Sequence, residues 1–192
     1  TAAIEIHGPM MRAVPAWFDF FGIEAADTTK ITAAVVAAAA DERIDRIVLS
    51  IDSPGGQVSG IAELADAIKG AASIKPVDAR VGSMMASAAM WVGAQASSIS
   101  ATRGSMIGSI GAYAVVADLS EAMKADGVKV HVVSSHELKG AFAFGSEVTG
   151  NQIKDLQREI DDITAAFVED VASGRGLKPK AAAALEPARR IS

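Results

Sequence analysis

The 192 residues contain no cysteine, which removes disulfides and thiolate metal sites and leaves no trace of an oxidising or reducing compartment. Positive charge is not concentrated anywhere. Lys and Arg number 18 against 23 Asp and Glu, the formal net charge is −5, and the pI is near 5.2. A nucleic-acid surface needs clustered Lys and Arg, so nucleic acid is not an expected partner. Histidine is scarce, with His7, His131 and His136 the complete set. A long, purely apolar run is also missing. Residues 81–102 carry no formal charge, but they hold five serines, two glycines and a glutamine. That content fits a buried strand, turn and helix better than a membrane span. The chain opens Thr1-Ala2-Ala3-Ile4, with no initiator Met, basic leader or apolar segment ahead of the first strand, so a fragment or processed product is expected.

Half of the positions are hydrophobic. A chain of this length supports one substantial core and is too short for two ordinary domains. Strand and helix signals alternate with short connections, which predicts an α/β fold. Ile4 and Ile6 begin the sheet and Gly8-Pro9 ends that strand. Residues 10–22, with Trp17, Phe18, Phe20 and Phe21, form an aromatic-rich connection that serves either as packing under a loop or as a contact or cover surface. Thr28-Thr29 are expected to cap a helix reaching Ala40, with Ile31, Ala34, Val35 and Ala38 facing the sheet.

Two later segments carry the chemistry. Ile44, Ile47, Val48, Leu49 and Ile51 form a nearly continuous apolar run that stops at Asp52, the pattern of a parallel strand buried on both faces. Ser53-Pro54-Gly55-Gly56 follows. Proline ends ladder pairing, and the glycines permit angles and close approaches that a Cβ would block. Ile61, Leu64, Ala65 and Ile68 then recur at helical spacing, which predicts the glycine turn at a helix N-terminus, where free N–H groups stabilise negative charge. The plan repeats. Residues 77–81 read as a strand, Gly82-Ser83 as its break, and Met85-Ala86-Ser87-Ala88-Ala89 as the start of an Ala-rich helix through Met90, Trp91 and Ala96. The pair reads as an oxyanion hole and a serine nucleophile at one edge of the sheet.

A serine nucleophile needs a base. None of the three histidines is well placed along the chain. Lys139 is the other candidate, in the polar loop Ser134-Ser135-His136-Glu137-Leu138-Lys139-Gly140; as a base it needs a pKa brought down from about 10.4 by a desolvated site. Around these residues, Met106 to Ala117 supplies a Gly108-Ser109-Ile110-Gly111 turn and a strand over 112–116. A short helix is expected over 119–125, closed by Gly127, and an alternating strand over 128–133 with Val128, Val130 and Val132. The longest helix places Ile153, Leu156, Ile160, Ile163, Phe167 and Val171 on its core face, until Gly174 and Gly176.

Taken in order, the strand, Ser-Pro-Gly-Gly, helix, strand, Ala-Ser-Ala-Ala, helix, Gly-Ser-Ile-Gly and loop lysine resemble the S49 peptidases. That family includes the signal peptide peptidase A proteins and the phage capsid (prohead) maturation proteases. The resemblance runs from Ile4 to about Arg190. It implies a ClpP/crotonase-like fold of repeated β-β-α units with parallel sheets flanked by helices. It also implies Ser87 as nucleophile and Lys139, 52 positions later, as general base. The oxyanion hole would be the main-chain N–H groups of Gly56 and Ala88, with Gly55 as a further candidate. Ser109 would orient the lysine. No metal or organic cofactor is implied.

The resemblance further implies protein or peptide substrates and a ring-like homo-oligomer in which Ser and Lys of one site come from neighbouring subunits. Ser50-Ile51-Asp52-Ser53-Pro54-Gly55-Gly56 and Ala86-Ser87-Ala88-Ala89-Met90-Trp91 resemble the capsid-maturation branch more closely, which implies action on scaffold and capsid proteins and on the protein itself. The alternative is a signal peptide peptidase. The location would be the host cytoplasm within procapsids, or a membrane surface if an anchor precedes Thr1. Relatives continue past Ala188-Arg189-Arg190-Ile191, so residues 1–192 are expected to form a single peptidase domain truncated at both ends. Two other classes share parts of the pattern: a crotonase-type acyl-CoA enzyme, and a non-catalytic oligomeric assembly protein. A ClpP-type histidine base is disfavoured, because no histidine lies between Ser87 and His131.

Overall fold

The computed structural model describes residues 1–185 and 189–190. Ala188 and Ile191, of the segment Ala188-Arg189-Arg190-Ile191, lie outside the described residues. In chain order the elements are β1 (Ala2–His7), β2 (Met10–Met11), α1 (Ala16–Phe20), β3 (Ala26–Asp27), α2 (Thr28–Ala40), β4 (Ile47–Ser53), α3 (Ile61–Ile74) and β5 (Val77–Ala86). There follow α4 (Ala88–Gly93), β6 (Ser98–Ala101), β7 (Met106–Gly108), α5 (Ser120–Ala125), α6 (Gly150–Arg175), α7 (Pro179–Ala183) and β8 (Arg189–Arg190). Thr1–Gly111 with Ala165–Ser192 forms one compact unit, and Ala112–Thr164 forms a second.

The first unit is the expected α/β arrangement. Its main sheet runs β1-β4-β5-β7-β8, with β6 also on β5. All pairings are parallel except β7 with β8. Along β4, Ile47, Leu49, Ile51 and Ser53 are buried, and the residues between them are half-buried. The nearly continuous apolar run therefore has one fully covered face and one partly covered face. Helices α2 and α3 pack against each other, α2 over β1 and β4 and α3 over β5. Asp27, not Thr28-Thr29, caps α2, its carboxylate accepting the Lys30 N–H at 3.0 Å. Thr28 then falls inside the helix on the buried stripe with Ile31, Val35, Ala38 and Ala39, and Ala34 is displaced to the exposed side. At the other end, Lys75 Nζ donates to the carbonyls of Ala38 (3.0 Å), Asp41 (2.8 Å) and Ile44 (2.8 Å), satisfying groups that a helix end leaves open. Of the aromatic connection, Phe18 is buried while Trp17, Phe20 and Phe21 are exposed.

Strand β5 overturns one expectation. Gly82-Ser83 does not end it. The strand continues through an irregularity in which β4 advances from Ile51 to Ser53 while β5 advances from Val81 to Met85. Before that point β5 pairs with β6 and after it with β7. The carboxylate of Asp52 accepts the Ser83 and Met84 N–H groups, both at 3.1 Å, so backbone that would otherwise leave the ladder stays bonded.

Helix α4 is fixed from behind by the last turns of α6. The Trp91 and Phe167 rings stack at 4.6 Å and 10°, and Trp91 Nε1 donates to Asp170 Oδ2 at 2.7 Å. Gln95 Nε2 donates to the Trp91 and Asp170 carbonyls. Gly174 lies so close to α4 that a Cβ there would stand 2.3 Å from the Ala94 carbonyl oxygen.

In the second unit, 112–116 and 128–133 were both expected as strands. Among the described residues neither has a ladder partner. The apolar alternation at Val128, Val130 and Val132 is present, but a strand exists only where a second strand accepts from its N–H groups and donates to its C=O groups, and among the described residues this unit supplies none. Tyr113, Val115 and Val133 are exposed. Local contacts hold the unit together. Asp118 accepts the Ser120 hydroxyl (2.6 Å), the Ser120 N–H (2.9 Å) and the Val148 N–H (3.0 Å). These bonds, the Ser120 hydroxyl foremost, hold its carboxyl below the usual range. Gly145 packs on Met123 and Val130. The apolar stripe of α6 is buried only at Phe167 and Val171, with Leu156, Ile160 and Ile163 half-buried and Ile153 exposed. Among the described residues no helix is long and apolar enough to cross a membrane.

Truncating Trp91 to Ala removes the ring that Phe167 stacks on and strips the Asp170 carboxylate of its indole donor. Trp91→Ala is expected to cost about 3–5 kcal/mol of unfolding free energy, read from urea denaturation curves.

Candidate functional site

Two chain reversals meet at the carboxyl edge of the sheet. The first follows β4. The Ser53 hydroxyl, fully buried, donates to the Gly8 carbonyl at 2.7 Å and accepts the Gly55 N–H at 3.1 Å. Met10 holds the other side, its N–H donating to the Gly55 carbonyl and its carbonyl accepting the Gln57 N–H, both at 2.9 Å. A Cβ on Gly56 would lie 2.0 Å from the Met10 oxygen, so this position admits glycine alone. The turn was expected at a helix N-terminus. Instead α3 begins at Ile61 behind Gly60, a left-handed cap at φ 87°, and the residues between separate turn from helix. Ser53 and Met10, rather than α3, aim the turn's amides.

The second reversal follows β5. Ser87 has φ 52° and ψ −126°, a conformation that costs a non-glycine residue on the order of 1–3 kcal/mol and persists where surrounding contacts impose it. A serine with these angles between a strand and a helix has a sharp strand-to-helix turn of the kind that nucleophile elbows use. The imposing contacts are the Ser87 N–H donating to the Gly108 carbonyl at 2.9 Å and the Trp91 N–H donating to the Ser87 carbonyl at 3.1 Å. Ser87 is half-buried.

The reversals touch at Gly55. A Cβ there would lie 2.6 Å from Ser87 Cβ, 2.8 Å from the Ala86 carbonyl oxygen and 2.8 Å from the Ala88 nitrogen; Gly55 also has φ 91°. The structure thus brings Gly55, Ser87 and Ala88 together. Among the described residues the N–H groups of Gly56 and Ala88 have no acceptor, whereas that of Gly55 is taken by Ser53. Two main-chain donors at these turns, at 56 and 88, are therefore open.

Ser109 lies next to Ser87. Ala86 and Gly108 are register partners, so Ser87 and Ser109 leave adjacent parallel strands side by side, roughly 5 Å apart by strand spacing. Ser109 shares the positive φ, at 57°. Lys139 stands in the second unit, exposed, in a run of turns where its N–H donates to the His136 carbonyl at 3.0 Å. His131 and His136 are in the same unit and exposed. His7, the one histidine of the first unit, has Nε2 3.4 Å from Ser50 Oγ and lines a cavity of about 600 Å³ with Glu5, Glu24 and Lys30. Sequence reasoning missed the roles of Asp52, Ser53 and Met10. The available signal was Asp52, a carboxylate closing an apolar strand, which needs donors when partly buried.

The model of peptidase family S49 matches residues 69–188. The chain is 30% identical over 195 residues to the head-tail preconnector protein GP5 of Enterobacteria phage P21, covering 97% of this chain and 37% of that protein. It is 31% identical to the capsid assembly protease C of Escherichia phage lambda, over 77% of this chain and 34% of that protein. Protease 4 of Haemophilus influenzae is 30% identical over 71% of this chain and 22% of its own length. The chain therefore spans about a third of the two phage relatives. Among solved structures, a variant of ClpP1 from Listeria monocytogenes superposes with a TM-score of 0.53 at 14% identity, covering 97% of this chain and 80% of that one. The fold is ClpP/crotonase-like.

Gly55→Ala drives a Cβ into Ser87 and Ala88. It is expected to lower the rate at which a fluorophosphonate, a reagent for activated serine hydroxyls, labels Ser87 by about a hundredfold or more. Gly70, inside α3, has open space around it, so Gly70→Ala should leave labelling unchanged and add about 0.5–1 kcal/mol of stability.

Proposed function

The chain belongs to peptidase family S49, and we propose that it is a serine endopeptidase in which Ser87 is the nucleophile and Lys139 the general base. The observation that carries this reading is the contact of the Gly55 turn with a strained Ser87, with the Gly56 and Ala88 amides left open. Neutral Lys139 Nζ takes the proton from Ser87 Oγ as the oxygen attacks a peptide carbonyl. The two amides hold the resulting oxyanion, and the protonated lysine returns its proton to the leaving amine. Water, deprotonated by the same lysine, then attacks the acyl-serine ester and releases the acid and Ser87. Ser109, beside Ser87 in register, orients the lysine amine. Lys139 is solvated in a single chain, and a base needs desolvation to become neutral near pH 7. In this proposal Ser87 and Lys139 of one site come from neighbouring copies in a ring, and residues 1–192 form one peptidase domain.

The proposed substrates are scaffold and capsid proteins of a phage or prophage, including the protein's own longer form, cleaved in the host cytoplasm during assembly. The names of the two phage relatives support this role. The name preconnector also supports a second reading, an oligomeric assembly protein without turnover.

Mass spectrometry of casein and of the extended precursor, incubated with wild type, Ser87→Ala and Lys139→Ala, separates the two. The expected outcome is cleavage by wild type and at least a thousandfold loss in both variants, with precursor cut sites marking the capsid role. Cleavage that survives Lys139→Ala overturns the lysine base, and an inert but oligomeric wild type selects the assembly reading.

A further inference from the structure

We infer that Asp52 is a positioning residue for Ser87, acting through the register of β5; the inference rests on the reading of Ser87 as nucleophile. Opposite Asp52 on β4, strand β5 passes Gly82, Ser83 and Met84, so that Ser53 faces Met85. Regular pairing from Ile51 and Val81 onward would place Ser83 opposite Ser53. The two extra residues preserve which side chains face the core, so burial alone does not distinguish the two registers. They differ in the position of the turn. In the regular register Ser87 would sit two residues further along, about 7 Å from its place against Gly55.

The side chains on either side of the irregularity select the observed register. Asp52 Oδ2 accepts the Ser83 N–H and Oδ1 the Met84 N–H, each at 3.1 Å. Gly82 lies against this carboxylate, where a Cβ would come within 2.8 Å of Oδ2. From the opposite side, the buried Ser105 hydroxyl donates to the Gly82 carbonyl at 2.6 Å and accepts the Thr102 N–H at 3.1 Å. The displaced main chain thus keeps acceptors for two N–H groups and a donor for one carbonyl. Only a carboxylate offers two acceptors in the space that Asp52 fills. Asn presents one acceptor and turns an amide donor toward the second N–H.

The test compares wild type, Asp52→Asn, Asp52→Ala and Ser87→Ala for fluorophosphonate labelling, peptide cleavage and amide exchange by residue. A merely structural role lowers the fraction of molecules that label and the melting temperature. A positioning role lowers the labelling rate constant and kcat at full labelled fraction. The expected result is a loss of tenfold or more in both constants for Asp52→Ala and a smaller loss for Asp52→Asn. KM should stay within about threefold, and exchange should quicken at Ser83 and Met84 but not at residues 77–81. Wild-type constants in Asp52→Ala, or a loss confined to the labelled fraction, overturn the inference while the protease reading stands. A wild type that neither labels nor cleaves overturns that reading, and with it the catalytic part of the inference. The exchange of the Ser83 and Met84 amides then decides separately whether Asp52 holds the register.

Discussion

A main-chain turn can lie against the Cβ of a serine only if it carries no side chain of its own. At Gly55 the backbone after β4 comes within van der Waals reach of Ser87 and Ala88 on the chain after β5. Ser53 and Met10 hold one partner of that contact, and the Gly108 carbonyl and helix α4 hold the other. The Gly55 contact sets the Ala88 N–H beside the turn that carries Gly56. The sheet contributes by ending β4 and β5 at the same edge, and the rings of Trp91 and Phe167 keep α4 from moving away.

Two layers of constraint are separable. The apolar faces of β1, β4 and β5, with α2 and α3 over them, determine that a parallel sheet forms. They are indifferent to a slip of two residues along a strand. The finer adjustment is polar and made by few atoms: the carboxylate of Asp52 and the hydroxyls of Ser53 and Ser105, each bonded to main chain. Side-chain bonds to backbone suit this purpose because they have direction and burial does not.

What was legible in the sequence follows the same division. The α/β class, the strand positions of Ile47, Leu49 and Ile51, the buried face Ile61, Leu64, Ala65 and Ile68, and the placement of Ser87 after a strand and before a helix all follow from hydrophobic period and from glycine and proline punctuation. Gly82-Ser83 misled, because a glycine in a strand marks either an end or an irregularity and the deciding carboxylate is some thirty positions away. Thr28 misled because Asp27 beside it is an equally good cap. Residues 112–116 and 128–133 have strand composition, but pairing is a property of two segments, and one segment cannot reveal whether its partner is present.

Those two unladdered stretches also affect the fate of a solitary chain. Extended backbone with open N–H and C=O groups is the shape that sheet-edge recognition captures from a bound peptide. Tyr113, Val115 and Val133 stand exposed in these stretches. Unpaired backbone of this kind is a template on which a further strand can form.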